Sequence, residues 1–131
     1  MCHTPEGSPL ISLTRETERF SLTMSIVRMG SDLNVSLFGG DAPHVGAVAL
    51  AQPHPGLRTP EKTDASVSVL AVTGHKEDRL AAKVAQTLAS ALDSRVCVAC
   101  GIHLDNGSGQ EIQTILRVAD AILEEALDIL G

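Results

Sequence analysis

Apolar and polar positions alternate with a period of two from Phe20 onward. Phe20, Leu22, Met24 and Ile26 interleave with Ser21, Thr23 and Ser25, and Leu33, Val35 and Leu37 flank Asn34 and Ser36. Because successive side chains of a strand point to opposite faces, each run puts its apolar set on one side. With Gly30-Ser31-Asp32 as the turn between them, the two runs predict a β-hairpin with one wet face. Val45 to Ala51 is a nearly continuous apolar run, and Ser66 to Val72 mixes Val and Leu with Ser; both read as strands. The stretch 52–64 holds Pro53, Pro55, Gly56 and Pro60, so a long surface loop is expected there.

The period then changes. Leu80, Val84, Leu88 and Leu92, with Ala81 and Ala85, recur every three to four residues, which predicts an amphipathic helix over 77–93. Arg95 to Cys100 is apolar without alternation, the pattern of a strand buried on both faces in the middle of a sheet. A second helix is expected over 109–130, with Ile112, Ile115, Leu116, Ala119, Leu123, Ala126 and Leu130 on its stripe. Ser108 followed three residues later by Glu111 spells a capping box at its start. Residues 1–14 carry Pro5, Gly7 and Pro9 with no periodicity and read as a flexible tail. The expectation is one α+β domain over 15–131 of order ββββαβα: a largely antiparallel sheet with two helices packed on one face. The strand-helix-strand unit 66–100 is the place where a parallel pair would arise.

Composition narrows the function classes. At 131 residues and 44% hydrophobic content, the chain can bury about two thirds of its unfolded surface in one core. Phe20 and Phe38 are its only aromatics, and ten Lys and Arg residues are scattered through a net charge of −6. Stacking platforms and a phosphate-backbone footprint are both missing, so nucleic acid is not the expected partner. No apolar run reaches membrane-spanning length, and Met1-Cys2-His3-Thr4-Pro5 has no signal-peptide character, so a cytoplasmic protein off the membrane is expected. Cys97 and Cys100 stand three apart in a strand, on opposite faces, which makes them structural thiols rather than a chelating or bridging pair.

Three histidines sit beside glycines at strand ends: Gly39-Gly40-Asp41-Ala42-Pro43-His44-Val45-Gly46, Gly74-His75-Lys76-Glu77-Asp78, and Gly101-Ile102-His103-Leu104-Asp105-Asn106-Gly107. If the three turns converge, they form one polar pocket. Gly74-His75-Lys76 opens a helix after a strand, where free N–H groups and the dipole favour an anion such as a phosphate. An ordinary helix entry, with Glu77 and Asp78 complementing the dipole, is the plainer alternative. His44, His103, Asp41 and Asp105 are metal-ligand types, but no HExxH or related spacing supports a metal. The same Asp residues also spell turns. Acid–base catalysis by one of these histidines with an Asp stays open, whereas nucleophilic catalysis has no motif to rest on.

Taken together, GGDAPHVGAVALA, SVSVLAVTGHKEDRLA and VCVACGIHLDNGSGQEI resemble the prenylated flavin chaperone (LpdD-like) family, the small subunits that accompany UbiD-like gallate and hydroxyarylic acid decarboxylases. That family is similar in fold to the proteasome assembly chaperones. The likeness runs from about residue 18 to the C-terminus. It implies an accessory protein without catalysis of its own, which assists maturation or prenylated-FMN loading of a UbiD-like decarboxylase large subunit. It also implies transient binding of prenylated FMN or FMN, and a homodimer. Matched to the family's motifs are Gly39, Gly40, Asp41, Pro43, His44, Gly46, Gly74, His75, Lys76, Asp78, Gly101, His103, Asp105 and Asn106. The cofactor-binding set expected from them is Gly39, Gly40, Asp41, His44, Gly74, His75, Lys76, His103, Asp105 and Asn106. The alternatives are a docking protein that never touches cofactor and a small metal-dependent or acid–base enzyme.

Overall fold

The computed structural model describes residues 10–72 and 77–131. Its elements run β1 (Leu10–Glu16), β2 (Ser21–Met29), β3 (Asp32–Gly40), β4 (Ala47–Pro55), β5 (Thr63–Ala71), α1 (Asp78–Leu92), β6 (Val96–His103) and α2 (Gly109–Leu130). One six-stranded sheet has the order β1-β2-β3-β6-β4-β5. This is the expected α+β architecture, with one strand more.

The extra strand lies in the stretch read as tail. Leu10–Glu16 pairs antiparallel with β2, Leu13 opposite Met24, and Leu13 is buried. Residues 10–14, expected to belong to a flexible tail, are therefore part of a strand, and the rest of that expectation lies outside the described residues. The short Leu-Ile-Ser-Leu alternation is too brief to announce a strand alone; it is ordered because it completes the edge beside β2.

Among the described residues, one sheet face is covered and the other is not. Leu22, Met24, Ile26, Val35, Leu37, Ala49, Val96, Val98 and Cys100 are fully buried, and they share that face with the apolar stripes of both helices. α1 inserts Ala81, Val84, Ala85 and Leu88, and α2 inserts Ala119, Ile122, Leu123 and Ala126. α2 starts as its spelling requires: Ser108 Oγ accepts from the Glu111 N–H, and Glu111 Oε1 accepts from the Ser108 N–H. The opposite face carries Thr23, Ser25, Asn34, Ser36, Cys97 and Ala99, none of them buried. Burial of β6 on both faces, expected from its unbroken apolar run, is thus overturned: small Cys97 and Ala99 sit on the uncovered side. The position of β6 inside the sheet is as expected.

The parallel pair is also elsewhere than expected. β6 runs parallel to β3, Leu37 opposite Cys100, while β4 separates β6 from β5 and is antiparallel to both. The expected loop 52–64 shrinks to 56–62, because β4 continues through Pro53 and Pro55. Pairing of β4 with β6 stops at Ala51–Val96, so the missing N–H groups of the two prolines face no strand on that side.

This topology decides where the loops go. β3 and β6 are parallel, so their C-terminal ends share one end of the sheet. β4 and β5 are antiparallel to one another, which brings the start of β4 and the end of β5 to the same place.

Candidate functional site

Two glycines let the turns come together. Gly40 has φ of +80°, and a Cβ there would strike the His103 carbonyl; this lets the chain leave β3 in the left-handed region and fold over the end of β6. Gly101 lies directly beneath His44, with no room for a Cβ against the His44 carbonyl. The 41–46 segment therefore rests on the last residues of β6. Backbone bonds fix it: the Asp41 N–H donates to His103 O at 2.6 Å and the Gly46 N–H to Cys100 O at 2.9 Å.

Side chains then lock the two turns. Arg19, in the β1–β2 turn, donates Nη1 and Nη2 to both carboxylate oxygens of Asp41 at 2.9 and 2.8 Å. Its Nη2 also reaches Asp105 O at 3.1 Å, and its Nε lies 2.9 Å from Glu111 Oε2. Asp41 Oδ2 in turn accepts the Asp105 N–H at 2.8 Å. The Arg19 hydrogen bonds, joined by the Asp105 N–H, hold the Asp41 carboxyl down at about 2. Arg19 is correspondingly raised, and Glu111 is lowered, first by the Ser108 N–H and further by Arg19.

Two histidines meet inside this frame. The His44 and His103 rings are 6.5 Å apart between centroids and stand edge to face at 74°. His44 Nδ1 donates to Ala42 O at 3.0 Å in the tautomer that satisfies that carbonyl. Its Nε2 lies 2.9 Å from Glu77 Oε1, a contact off the hydrogen-bonding direction. That contact is attractive only when ring or carboxyl carries a proton between the two atoms. Glu77 sits just before α1, and its side chain is largely buried; Oε1 also accepts the Ile102 N–H at a long 3.4 Å. His103 Nε2 meets Asp105 Oδ1 at 3.1 Å in a more exposed position.

Of the expected residues, Gly39, Gly40, Asp41, His44, His103, Asp105 and Asn106 do lie at this one end. Gly74, His75 and Lys76 lie outside the described residues. The described residues flanking them touch the 44–46 segment: Val72 N–H donates to Gly46 O at 2.8 Å, and Glu77 meets His44. Asn106 is in the left-handed region at φ +53°, with the Gly107 N–H donating back to Leu104 O, so it shapes the turn. Asp41 serves Arg19 and the Asp105 backbone. Among the described residues, no group of three or more His, Cys, Asp and Glu is placed to hold a metal ion.

Two contributors escaped the motif reading. Glu77 was read only as a dipole partner of α1, and Arg19 drew no notice at all. Nothing in local sequence pairs Arg19 with Asp41; a lone cation in the turn before an alternating run was the sole sign.

Beside the histidines is an apolar hollow of about 310 Å³, lined by Ser36, Leu37, Phe38, Pro43, His44, Val45 and Ala99. It opens on the uncovered face of the sheet. Its size falls near the lower end of small-molecule sites. A flat apolar group would find Phe38, Val45 and Ala99 as its wall and a titratable ring, His44, at its edge. Cations are scarcer, since Arg19 is engaged by Asp41 and Glu111 while Glu77 and Asp105 add negative charge. An anionic group would be met by few positive charges among the described residues.

Comparison with known proteins follows the same lines. A family described as the prenylated flavin chaperone LpdD-like domain matches residues 16–131. No curated protein matches. Among solved structures, a chain from "Crystal Structure of a Novel Chaperone Complex for Yeast 20S Proteasome Assembly" is similar with a TM-score of 0.53 at 17% identity, over 93% of this chain and 97% of that one. At that identity the likeness is one of fold.

Proposed function

This chain belongs to the prenylated flavin chaperone LpdD-like family, and from that premise we propose that it assists maturation or prenylated-FMN loading of a UbiD-like hydroxyarylic acid decarboxylase. The large subunit of that decarboxylase is its partner, and prenylated FMN, or FMN, is bound transiently rather than turned over. The protein works in the cytoplasm as a homodimer; among the described residues no helix is long and apolar enough to cross a membrane.

One observation carries the cofactor part: the 40–46 and 103–105 turns close on each other beside an apolar hollow. The hollow suits the apolar side of a fused ring, with the His44 ring at its edge. The phosphate is assigned to the Gly74-His75-Lys76 helix entry, the one segment of the set whose spelling favours an anion. Asp41 is withdrawn from direct contact by Arg19 and instead positions the loop that carries His44. Prenylated FMN supplies its chemistry only in the decarboxylase; here the residues hold and orient it.

Titration with FMN and prenylated FMN, followed by flavin absorbance and fluorescence, tests this. The wild-type chain should bind in the micromolar range or tighter. His44→Ala with His103→Ala, or His75→Ala with Lys76→Ala, should weaken binding at least about tenfold while circular dichroism stays unchanged. A flat titration with retained copurification of a decarboxylase subunit would instead mark a docking protein that leaves the cofactor alone.

A further inference from the structure

The apolar stripe of α2 is longer than the face this chain buries. Ile112, Ile115, Leu116, Ala119, Leu123 and Ala126 follow one helical period, yet the buried members of the helix, Ala119, Ile122, Leu123 and Ala126, begin only in its third turn. Ile112 and Leu116 stand one turn apart, side by side on the helix surface, and are 51% and 40% exposed. Large apolar side chains exposed as neighbours, rather than singly, point to a surface that another molecule covers.

Leu116 also belongs to a groove between the two helices. Arg79, Leu80 and Lys83 of α1 and Leu116, Arg117 and Asp120 of α2 line a hollow of about 360 Å³. Its walls are helical, so it lies on the opposite side of the sheet from the hollow beside His44. Several cations of this chain are held by carboxylates: Arg15 by Glu125, Arg19 by Asp41 and Arg95 by Asp32. In the groove, Lys83 is held in the same way by Asp120 at 2.6 Å. Arg117 instead donates to Thr114 Oγ1 of its own helix at 3.1 Å, with no carboxylate among the described residues. The Arg79 guanidinium has neither a hydrogen bond nor an ion pair among the described residues. Two guanidiniums therefore line one groove without a carboxylate, in a chain that carries 16 Asp and Glu against 10 Lys and Arg.

We propose that the groove between α1 and α2 is a docking surface for an acidic, amphipathic segment of a partner polypeptide. Charge complementarity selects the occupant. Carboxylates of the segment pair with Arg79 and Arg117, whose planar forks suit them, while its apolar side chains cover Ile112 and Leu116. Nucleic acid fits the groove less well, because no aromatic ring lines it for stacking and Asp120 stands against a phosphate backbone. An anionic membrane and a second copy are both opposed by the net charge of −6. The inference goes beyond the reading above and requires neither flavin binding nor self-association.

A synthetic helical peptide with leucines four positions apart flanked by glutamates is the probe, labelled with fluorescein and followed by anisotropy on the full chain. Binding is expected with a dissociation constant below about 100 μM. Amide shifts by NMR in the wild type should cluster at 79–83 and 112–120, a readout that needs no variant to fold. Arg79→Glu with Arg117→Glu should weaken binding at least about tenfold with unchanged circular dichroism, whereas Arg79→Lys with Arg117→Lys should keep most of it. A peptide with serine in place of the leucines should bind at least about tenfold more weakly. Equal binding of that peptide, or full displacement by inorganic phosphate at low ionic strength, would reduce the groove to a small-anion site and overturn the proposal. No binding, shifts centred on His44 instead, or a change of oligomeric state in the glutamate variant would overturn it as well.

Discussion

Arg19 forks onto Asp41 across 22 positions of sequence, each guanidinium nitrogen meeting its own carboxylate oxygen at 2.9 and 2.8 Å. Asp41 is thereby lowered from 3.8 to about 2. A lowered carboxyl stabilises fully above its unfolded value and loses that contribution as pH falls through its folded one. The thermal midpoint should accordingly drop on acidification between about pH 4 and pH 2, with Glu111 adding in the same direction. Asp41→Asn should flatten this stretch of the curve; an unchanged slope in the variant would dismiss the fork as its source. Since the pair is solvent-exposed, added salt should weaken the effect.

Gly101→Ala should be poorly tolerated, because the new methyl group would meet the His44 carbonyl, which is backbone and cannot swing aside. A loss of about 2 kcal/mol or more in urea unfolding is expected, together with a change in the His44 and His103 ring signals by NMR. Full stability with unshifted rings would show that the 41–46 segment does not rest on β6 as described.

The two strand cysteines should differ in reactivity. Burial, with the Glu77 charge adding to it, pushes the Cys100 thiol up to about 12, while Cys97 lies half-buried on the uncovered face. Iodoacetamide at pH 8 with site-resolved mass spectrometry should modify Cys97 more than about tenfold faster than Cys100. The difference should vanish in denaturant. Equal rates in the native protein would contradict the burial of Cys100.

Ser108→Ala removes the N-cap acceptor and leaves Glu111 without its reciprocal partner. A cost of about 1 kcal/mol is expected, read as a fall of roughly 4 °C in the thermal midpoint. Ser108→Asp should restore most of it, since a carboxylate at the cap also suits the helix dipole. If Ser108→Ala melts like the wild type, the capping box contributes nothing measurable.

The sequence by itself determined most of the scaffold. Alternation over 20–26 and 33–37, the shift to a helical period at Leu80, and the Ser108–Glu111 spelling are local properties, each settled by backbone geometry within a few residues. They were enough for the α+β class, both helices and the interior place of β6. Glycine-histidine turns at strand ends were visible too, because strand boundaries and turn residues are written locally.

Tertiary structure alone decided the rest, because it depends on which strands lie side by side. The β3–β6 pairing brings two turns of distant sequence to the same end and sets His103 beside His44. Arg19 acquires its role only when the β1–β2 turn reaches that end, and Glu77 only when α1 starts beneath His44. The same pairing order leaves Cys97 on an uncovered face, although its sequence neighbours read as buried all round: an apolar run specifies a strand, but the placement of helices specifies which of its faces is dry.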